Sequence, residues 1–458
     1  MNPELQRNVW LELTPRRLIL MAAVLGVIFL TAGANGGNSA MQAIGGAARV
    51  MYYVIVVFWG TRAAAGAVIG EIRDRTWDFQ RLSALTPLEM LIGKIIGATS
   101  YQWFGGAICL AFIFMSRLAE NGPIEAFAEA LYFVAVGLFG QAVSLYASLI
   151  AVRKRASHTR LDVFIYQIMG LIAAASAAQL WNARFVTQIL KLQWSGPGLD
   201  QLNWHGFHFP VQGFYLLSLF AFLFWALAGN LALLSSELQA RRKSWTWIGF
   251  LLFMVIYVSG FAEDWAQVGQ GLETVRLALA VMTAAGLTYA AILLEPKDAV
   301  TYRALFESLG RFRLGSAAGA TQAWMSAFVL LTVLVAWFLF TFKAPFKEVL
   351  GYTNQLSIAV AAGYFFVARD IAIFLYFNFT PRNARGDFAA VVSLGVLYVV
   401  LPMLFGVMGQ GHIMALVIPF PQSGEIGAIA APLIEAAVMW ILALARLRAL
   451  ARARAARI

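Results

Sequence analysis

EIRDRTWDFQRLSALTPLEMLIGK, residues 71–94, interrupts a chain that is otherwise strongly apolar. Glu71 to Asp78 reads as a charged helical extension of the apolar run before it. At helical spacing Phe79, Leu82 and Leu85 share one face while Gln80 and Arg81 fall on the other, the pattern of an amphipathic helix at a membrane surface. Thr86 suits a helix N-cap, Pro87 the first helical turn, and Glu89 the positive end of a new helix that runs through Ile92 into the next apolar run. The stretch therefore predicts a helix, a break and a second helix held between two membrane spans.

Composition sets the class around it. With 61% hydrophobic and 12% charged residues and a mean hydropathy of +0.73, the chain lacks the charged fraction of about 25% that coats a soluble globule. Apolar runs long enough for a helix to cross the hydrocarbon layer recur throughout. They are read at Leu18–Ala32, Val50–Ile69, Ile92–Met115, Ala126–Ala151, Val163–Leu180, Val211–Leu234, Trp245–Phe261, Val275–Leu294, Trp324–Phe340, Leu356–Phe377, Phe388–Val407 and Ile429–Leu447. The expected fold is an all-α polytopic membrane protein with about twelve transmembrane helices. Continuous runs of this kind exclude the ~10-residue alternating segments of a β-barrel.

Lys and Arg placement gives an orientation. If the N-terminus is cytoplasmic, every second connection gathers basic residues, from Arg7, Arg16 and Arg17 to the tail Arg446, Arg448, Arg452, Arg454 and Arg457. About 25 of the 34 Lys and Arg residues fall on that side. Both termini are then expected in the cytoplasm of a multi-pass protein of the plasma (bacterial inner) membrane. Anionic headgroups of the lipid bilayer account for the net charge of +11, and no nucleic-acid partner is expected. Glu4 and Glu12 beside the first apolar run, and the want of a small-x-small cleavage site, favour a retained helix over a signal peptide. The single Cys109 lies within a span and reads as packing.

Four regions follow. Residues 1–17 suit an interfacial amphipathic helix with Trp10 at headgroup depth. Residues 18–243 form a six-span half carrying the amphipathic helical segment near 77–91, 244–447 a diverged second membrane half of about six spans, and 448–458 a basic tail. Between Trp181 and Pro210, Ile189, Leu190 and Leu192 suggest a re-entrant or interfacial helix before the SGPG turn. His205 and His208, three apart, would share a face of a helix, although Pro210 argues against a helix there. With no further ligands they read as interface residues, and no metal site is expected. Arg62 in FWGTRAAAGAV and Arg369 in FFVARDIAIFL sit at similar depths, a weak sign of an old duplication.

Catalytic motifs are missing. The only Gly-Lys, Gly93–Lys94, lacks the lead of a phosphate-binding loop, and neither H-E-x-x-H nor G-x-S-x-G occurs. A non-enzymatic role is expected. Ionisable groups inside spans are costly and need a partner or an aqueous cavity. Arg62, Arg276, Arg369, Asp370 and Glu435 qualify, and adjacency is expected to send Arg369 and Asp370 to different helical faces.

Glu71, Thr76, Asp78, Leu82, Leu85, Thr86, Pro87, Gly93 and Lys94 together resemble the first cytoplasmic loop of the permease subunits of type-2, exporter-class ABC transporters. Arg75 stands where that pattern usually has Gly. The resemblance is good over Pro3–Lys94, extends through Lys243 and fades beyond Trp245, since the usual subunit has about six spans. It implies that Arg81–Met90 docks a separate ABC ATPase subunit, with Glu71, Thr76, Asp78, Arg81, Leu82, Leu85, Pro87 and Glu89 as the coupling residues. It also implies that ATP and Mg are bound on that partner, that this chain binds no cofactor, and that a second permease copy is an open question. The competing readings are a gradient-driven secondary transporter, suggested by the span count, Asp370 and Glu435, and a membrane scaffold using Glu295–Gln322 as a binding arm.

Overall fold

The computed structural model describes residues 2–83, 85–154, 160–181, 201–238, 245–263, 271–297, 299–311, 321–341, 356–379, 386–410 and 425–455. Among them, eleven helices are long and apolar enough to cross a membrane. The chain is a multi-pass, predominantly helical membrane protein. It divides into two compact bodies, Met1–Leu202 with His208–Thr246, and Asn203–Phe207 with Trp247–Ile458. The re-entrant segment expected at Ile189–Leu192 lies outside the described residues, as does the SGPG turn.

In the first body, α1 (Pro3–Glu12) is capped by Asn2, whose side chain accepts from the Glu4 and Leu5 amides. α2 (Pro15–Asn35) is the first apolar helix. The second is one 34-residue rod, Ala40–Arg73, built from α3 (Ala40–Tyr52), a wide π-helical stretch Tyr53–Trp59, and α4 (Gly60–Arg73). It begins ten residues earlier than the apolar run at Val50, because Ala40–Arg49 continues the same helix. Two short helices follow, α5 (Trp77–Arg81) and α6 (Pro87–Ile92). A π-helical stretch Gly93–Gly97 leads into α7 (Ser100–Asn121), α8 (Pro123–Arg153), α9 (Arg160–Trp181) and α10 (Val211–Glu237).

A wide turn withdraws carbonyls from the regular ladder, and in hydrocarbon each needs another donor. Here side chains supply them. Gln141 Nε2 donates to Val56 O at 3.1 Å and Gln167 Nε2 to Phe58 O at 2.9 Å, while Gly93 O, which accepts the Ala98 amide at 3.2 Å, takes a second bond from Asn8 Nδ2 at 3.0 Å. The core of this body is aromatic and small-residue packing around Tyr52, whose hydroxyl donates to Phe133 O at 2.7 Å. At the α8–α9 crossing Gly170 lies so close that a Cβ there would stand 2.0 Å from Ser144 Oγ and 2.4 Å from Gly140 O.

Strands β1 (Gln201–Trp204) and β2 (Phe207–Pro210) form a two-stranded hairpin. His205, at φ +51°, occupies its turn and His208 its second strand, so the three-residue spacing puts them on no common helical face. Trp204 Nε1 donates to Tyr257 O at 3.0 Å.

The second body holds α11 (Trp245–Ser259), α12 (Leu272–Leu294), α13 (Ala299–Gly310), α14 (Ala323–Thr341) and α15 (Leu356–Asn378). Then come α16 (Gly386–Gly395), a third π-helical stretch Val396–Val400, α17 (Leu401–Val407) and α18 (Glu425–Ala455). The expected span at Trp245–Phe261 is apolar but only 15 residues long, about 22 Å of helix against roughly 30 Å of hydrocarbon. The other eleven expected spans each correspond to one of the eleven long apolar helices. α13 is amphipathic, with Tyr302 and Leu305 buried and Arg303 paired to Glu307 on the exposed side.

Gly170→Leu is expected to lower stability by about 1–3 kcal/mol through overpacking against backbone that cannot yield. Gly26→Leu, where a Cβ meets nothing within 4 Å, serves as the control. Thermal unfolding in detergent, followed by size-exclusion fluorescence, compares the two.

Candidate functional site

The segment after α4 is shaped by its backbone first. Arg75 adopts φ +59°, the left-handed conformation that glycine takes freely and other residues at a cost of about 1–2 kcal/mol. Arg75 stands where the resembled pattern usually has Gly, and the tight turn is made with Arg in it. Thr76 closes it, its amide donating to Glu71 O at 2.8 Å. α5 then ends at Arg81, whose Nε donates to Glu237 O at 3.1 Å, at the negative C-terminal end of α10. Thr86 is extended at ψ 153°, as a residue before Pro prefers, and forms a reciprocal capping box with Glu89. The Glu89 amide donates to Thr86 Oγ1 at 3.3 Å and the Thr86 amide to Glu89 Oε2 at 2.9 Å.

The expected single face of Phe79, Leu82 and Leu85 is therefore split. The helix stops before Leu82, Leu85 turns inward to pack on the core, and Phe79 and Leu82 point outward, 77% and 85% exposed. Asp78 lies beside them with its side chain 85% exposed. Of the eight expected coupling residues, Thr76, Asp78 and Leu82 are exposed, and of these Asp78 and Leu82 lie beside Phe79 on the outward side. Glu71, Thr76, Arg81, Leu85, Pro87 and Glu89 shape and anchor the segment.

The anchor is a buried polar cluster that sequence reasoning missed. Lys94, fully buried at the start of the π-helical stretch, donates from Nζ to Glu4 Oε1 at 3.0 Å and Gln80 Oε1 at 2.9 Å, and pairs with Glu71 Oε2. Glu71 also accepts from Gln80 Nε2 at 2.5 Å and from Arg7 Nη2 at 2.7 Å. The Lys94 ammonium sits 5.9 Å from the centre of the Trp77 ring. Arg7 and Lys94 balance Glu4 and Glu71 in formal charge, with Lys94 and the two carboxylates inside and the Arg7 side chain 45% exposed at the edge of the cluster. Asn2 Nδ2 donating to Glu89 O at 2.7 Å adds a second link from α1. At Gly93 a Cβ would stand 2.3 Å from Glu4 Cγ. The sequence signal was a Glu on an amphipathic N-terminal helix and a Lys opening a span, each explicable alone.

A second cluster occupies the other body. Arg369 and Asp370, expected on different faces, are paired: Arg369 Nε donates to Asp370 Oδ1 at 3.0 Å. The reach of the guanidinium overrides the 100° step between neighbours. Arg369 Nη1 donates to Glu435 Oε2 at 2.6 Å, and Tyr289 and Tyr398 donate their hydroxyls to Asp370 Oδ2 at 2.7 and 2.6 Å. Arg369 and Asp370 are buried, while the Glu435 side chain is 38% exposed. Tyr398 reaches Asp370 from the third π-helical stretch. The guanidinium lies 4.6 Å from the Phe366 ring centre and 5.2 Å from that of Tyr398.

Arg62, its sequence counterpart, stands in other surroundings. It is exposed and donates to Gln167 Oε1 at 3.4 Å. Arg276 is a helix-end group, paired to Glu263 and Glu273 at 3.1 Å each. No cluster of metal-ligating side chains occurs among the described residues. Comparison with protein-family models, with curated proteins and with solved structures finds no match to this chain.

Lys94→Met leaves Glu4 and Glu71 buried without their ammonium and is expected to cost about 3–5 kcal/mol. Amide exchange in residues 3–12 should rise, and Glu4→Gln added to Lys94→Met should recover part of the loss. The Glu89 carboxyl is held below the usual Glu range by the Thr86 backbone and side-chain hydrogen bonds. Its contribution to the capping box is present above the ordinary Glu value of about 4.3 and is lost as pH falls through its own lower value. The protection factor of the Thr86 amide, which donates to Glu89 Oε2, should fall on acidification once the intrinsic pH dependence of exchange is removed, and Glu89→Gln should flatten that dependence.

Proposed function

We propose that this chain is the membrane-spanning permease subunit of an ATP-driven exporter of the ABC class, non-catalytic and energised by a separate ATPase chain that binds ATP and Mg. The observation that carries the reading is the pairing of an outward apolar knob, Phe79 and Leu82, with a rigid mount, the Glu4–Lys94–Glu71 cluster. A partner's groove gains the burial of two large apolar side chains. The buried salt-bridged mount passes any displacement of the knob into the rod ending at Arg73, the helix opening at Gly93 and the interfacial α1. In this reading the segment and both termini face the cytoplasm, and the membrane is the bacterial inner membrane.

A second reading has its own observation. Arg369, Asp370 and Glu435 form a charged cluster among apolar helices, as in a carrier driven by a proton or sodium gradient.

Phe79→Asp with Leu82→Asp is expected to abolish co-purification of an ATPase with the tagged, natively expressed chain. Each side chain acts as a hot spot whose loss costs about 2 kcal/mol or more, while yield and membrane insertion stay unchanged. An ATPase retained by the double variant would overturn the docking surface. Transport in ATP-free vesicles, driven by a gradient and lost in Asp370→Asn, would transfer the assignment to the carrier.

A further inference from the structure

Arg62 has no part in the coupling segment or its mount. It stands on the rod Ala40–Arg73, which passes two belts of ion pairs. Glu71 meets Arg7 and Lys94 in one, and Arg49 and Arg117 meet Glu129 in the other. From Arg49 to Glu71 the rod covers about 33 Å, close to the roughly 30 Å of a hydrocarbon layer. The Cα of Arg62 is roughly 13 Å inside the nearer belt, about two and a half helical turns. Snorkelling serves charged side chains near helix ends, and this one is well within the span.

At that depth it has no countercharge. Lys94, Arg276 and Arg369 each pair with carboxylates. Arg62 makes one 3.4 Å bond, to Gln167 Oε1, and no salt bridge among the described residues. Gln167 in turn spends its amide on Phe58 O. Of the helices packed beside it, α8 keeps Glu125 and Glu129 near the far belt, and the one carboxylate of α9, Asp162, lies in that helix's first turn. A guanidinium carries five N–H donors in a planar fork. Arg62 is exposed, so most of that fork is open to whatever lies outside the body.

The surface around it is sorted by polarity. Phe58 and Trp59, four and three residues earlier, neighbour Arg62 on the helix surface and are 52% and 50% exposed. Val54 and Val50 continue this exposed apolar face at four-residue steps. In the opposite direction the same steps fall on Gly66 and Gly70, where a Cβ would meet nothing within 4 Å. A bare trough thus runs from Arg62 toward the rod's end at Arg73. The fork matches a carboxylate or phosphate bidentately, and the aromatic face matches an apolar tail.

We infer that Arg62 binds the oxyanion head, carboxylate or phosphate, of an amphiphile whose tail lies along Phe58, Trp59 and Val54. The head reaches it along the Gly66–Gly70 trough. A second copy docked symmetrically by this face would set one Arg62 against another, so charge opposes that occupant. The site belongs to the first body and rests neither on an ATPase nor on transport.

The test is fluorescence quenching of the full chain in nanodiscs of zwitterionic phosphatidylcholine, at about pH 8 where a carboxylic acid is ionised. The probe is 11-bromoundecanoate and its control neutral 11-bromoundecanol, with the Trp59 signal taken as the difference between the wild-type chain and Trp59→Phe. Saturable quenching by the carboxylate is expected at a concentration at least about tenfold below that of the alcohol. Arg62→Gln should remove this preference, and Arg62→Lys, which keeps the charge without the fork, should retain part of it. Thermal stability of Arg62→Gln should equal or exceed that of the wild type, because an unpaired charge leaves the span. Phosphatidylglycerol added to the discs separates two sources of the head: it displaces the probe if a bilayer lipid holds the site and leaves it bound if a free amphiphile does. Equal quenching by acid and alcohol, an undiminished preference in Arg62→Gln, or a loss of stability in that variant would each overturn the proposal.

Discussion

A single buried ammonium organises the first body. Lys94 gathers α1 through Glu4, the end of α4 through Glu71 and α5 through Gln80, three elements that otherwise share little apolar surface. Ion pairs on a protein surface contribute at most about 1 kcal/mol. A buried one is different in kind, because each member becomes a liability once its partners leave. The arrangement is therefore all-or-none. α1 leaves its packing against Gly93 and Lys94 only by stranding charge, and the α5–α6 segment shifts only with that cluster. Gly93 completes the constraint, since the Glu4 side chain occupies the space of its missing Cβ.

The second body shows the same economy with other partners. Lys297, its side chain fully buried, pairs with Asp387 at 2.6 Å and donates to Glu295 O at 3.2 Å. It thereby fixes the connector leading to α13. Deeper within the helices, Asp370 accepts from two tyrosines and one arginine. In each case a charge enters the interior accompanied by an opposite charge and several hydrogen bonds, the condition under which burial is tolerated, with Arg369 Nη2 left as the one buried nitrogen of that cluster without a partner.

What the sequence disclosed follows the range of the forces involved. Hydrophobic runs act through the bilayer, a uniform solvent, so eleven of the twelve expected spans recur as long helices although their ends move by several residues. Local chemistry was legible too: Thr86 and Pro87 mark the break, and Glu89 completes the cap. Pairings across the fold were not. Glu4 and Lys94 are 90 positions apart and Arg369 and Glu435 are 66 apart, and neither spacing carries a periodic signal. Periodicity also misled where it was taken alone. It joined Leu85 to Phe79 and Leu82 on one face, although the chain breaks between them, and it parted Arg369 from Asp370, although a long flexible side chain reaches its neighbour.

The short helix α11 bears on the lipid as much as on the protein. Its 15 apolar residues, opened by Trp245 and Trp247, match a hydrocarbon layer about 8 Å thinner than average. Mismatch of this size costs fractions of a kcal/mol per Å, and lipids meet it by compressing locally. Tryptophans anchored at headgroup depth resist the alternative of sinking the helix end. A crossing by α11 alone would therefore require the bilayer beside it to thin by that amount, which would also shorten the path of a polar headgroup across the membrane there.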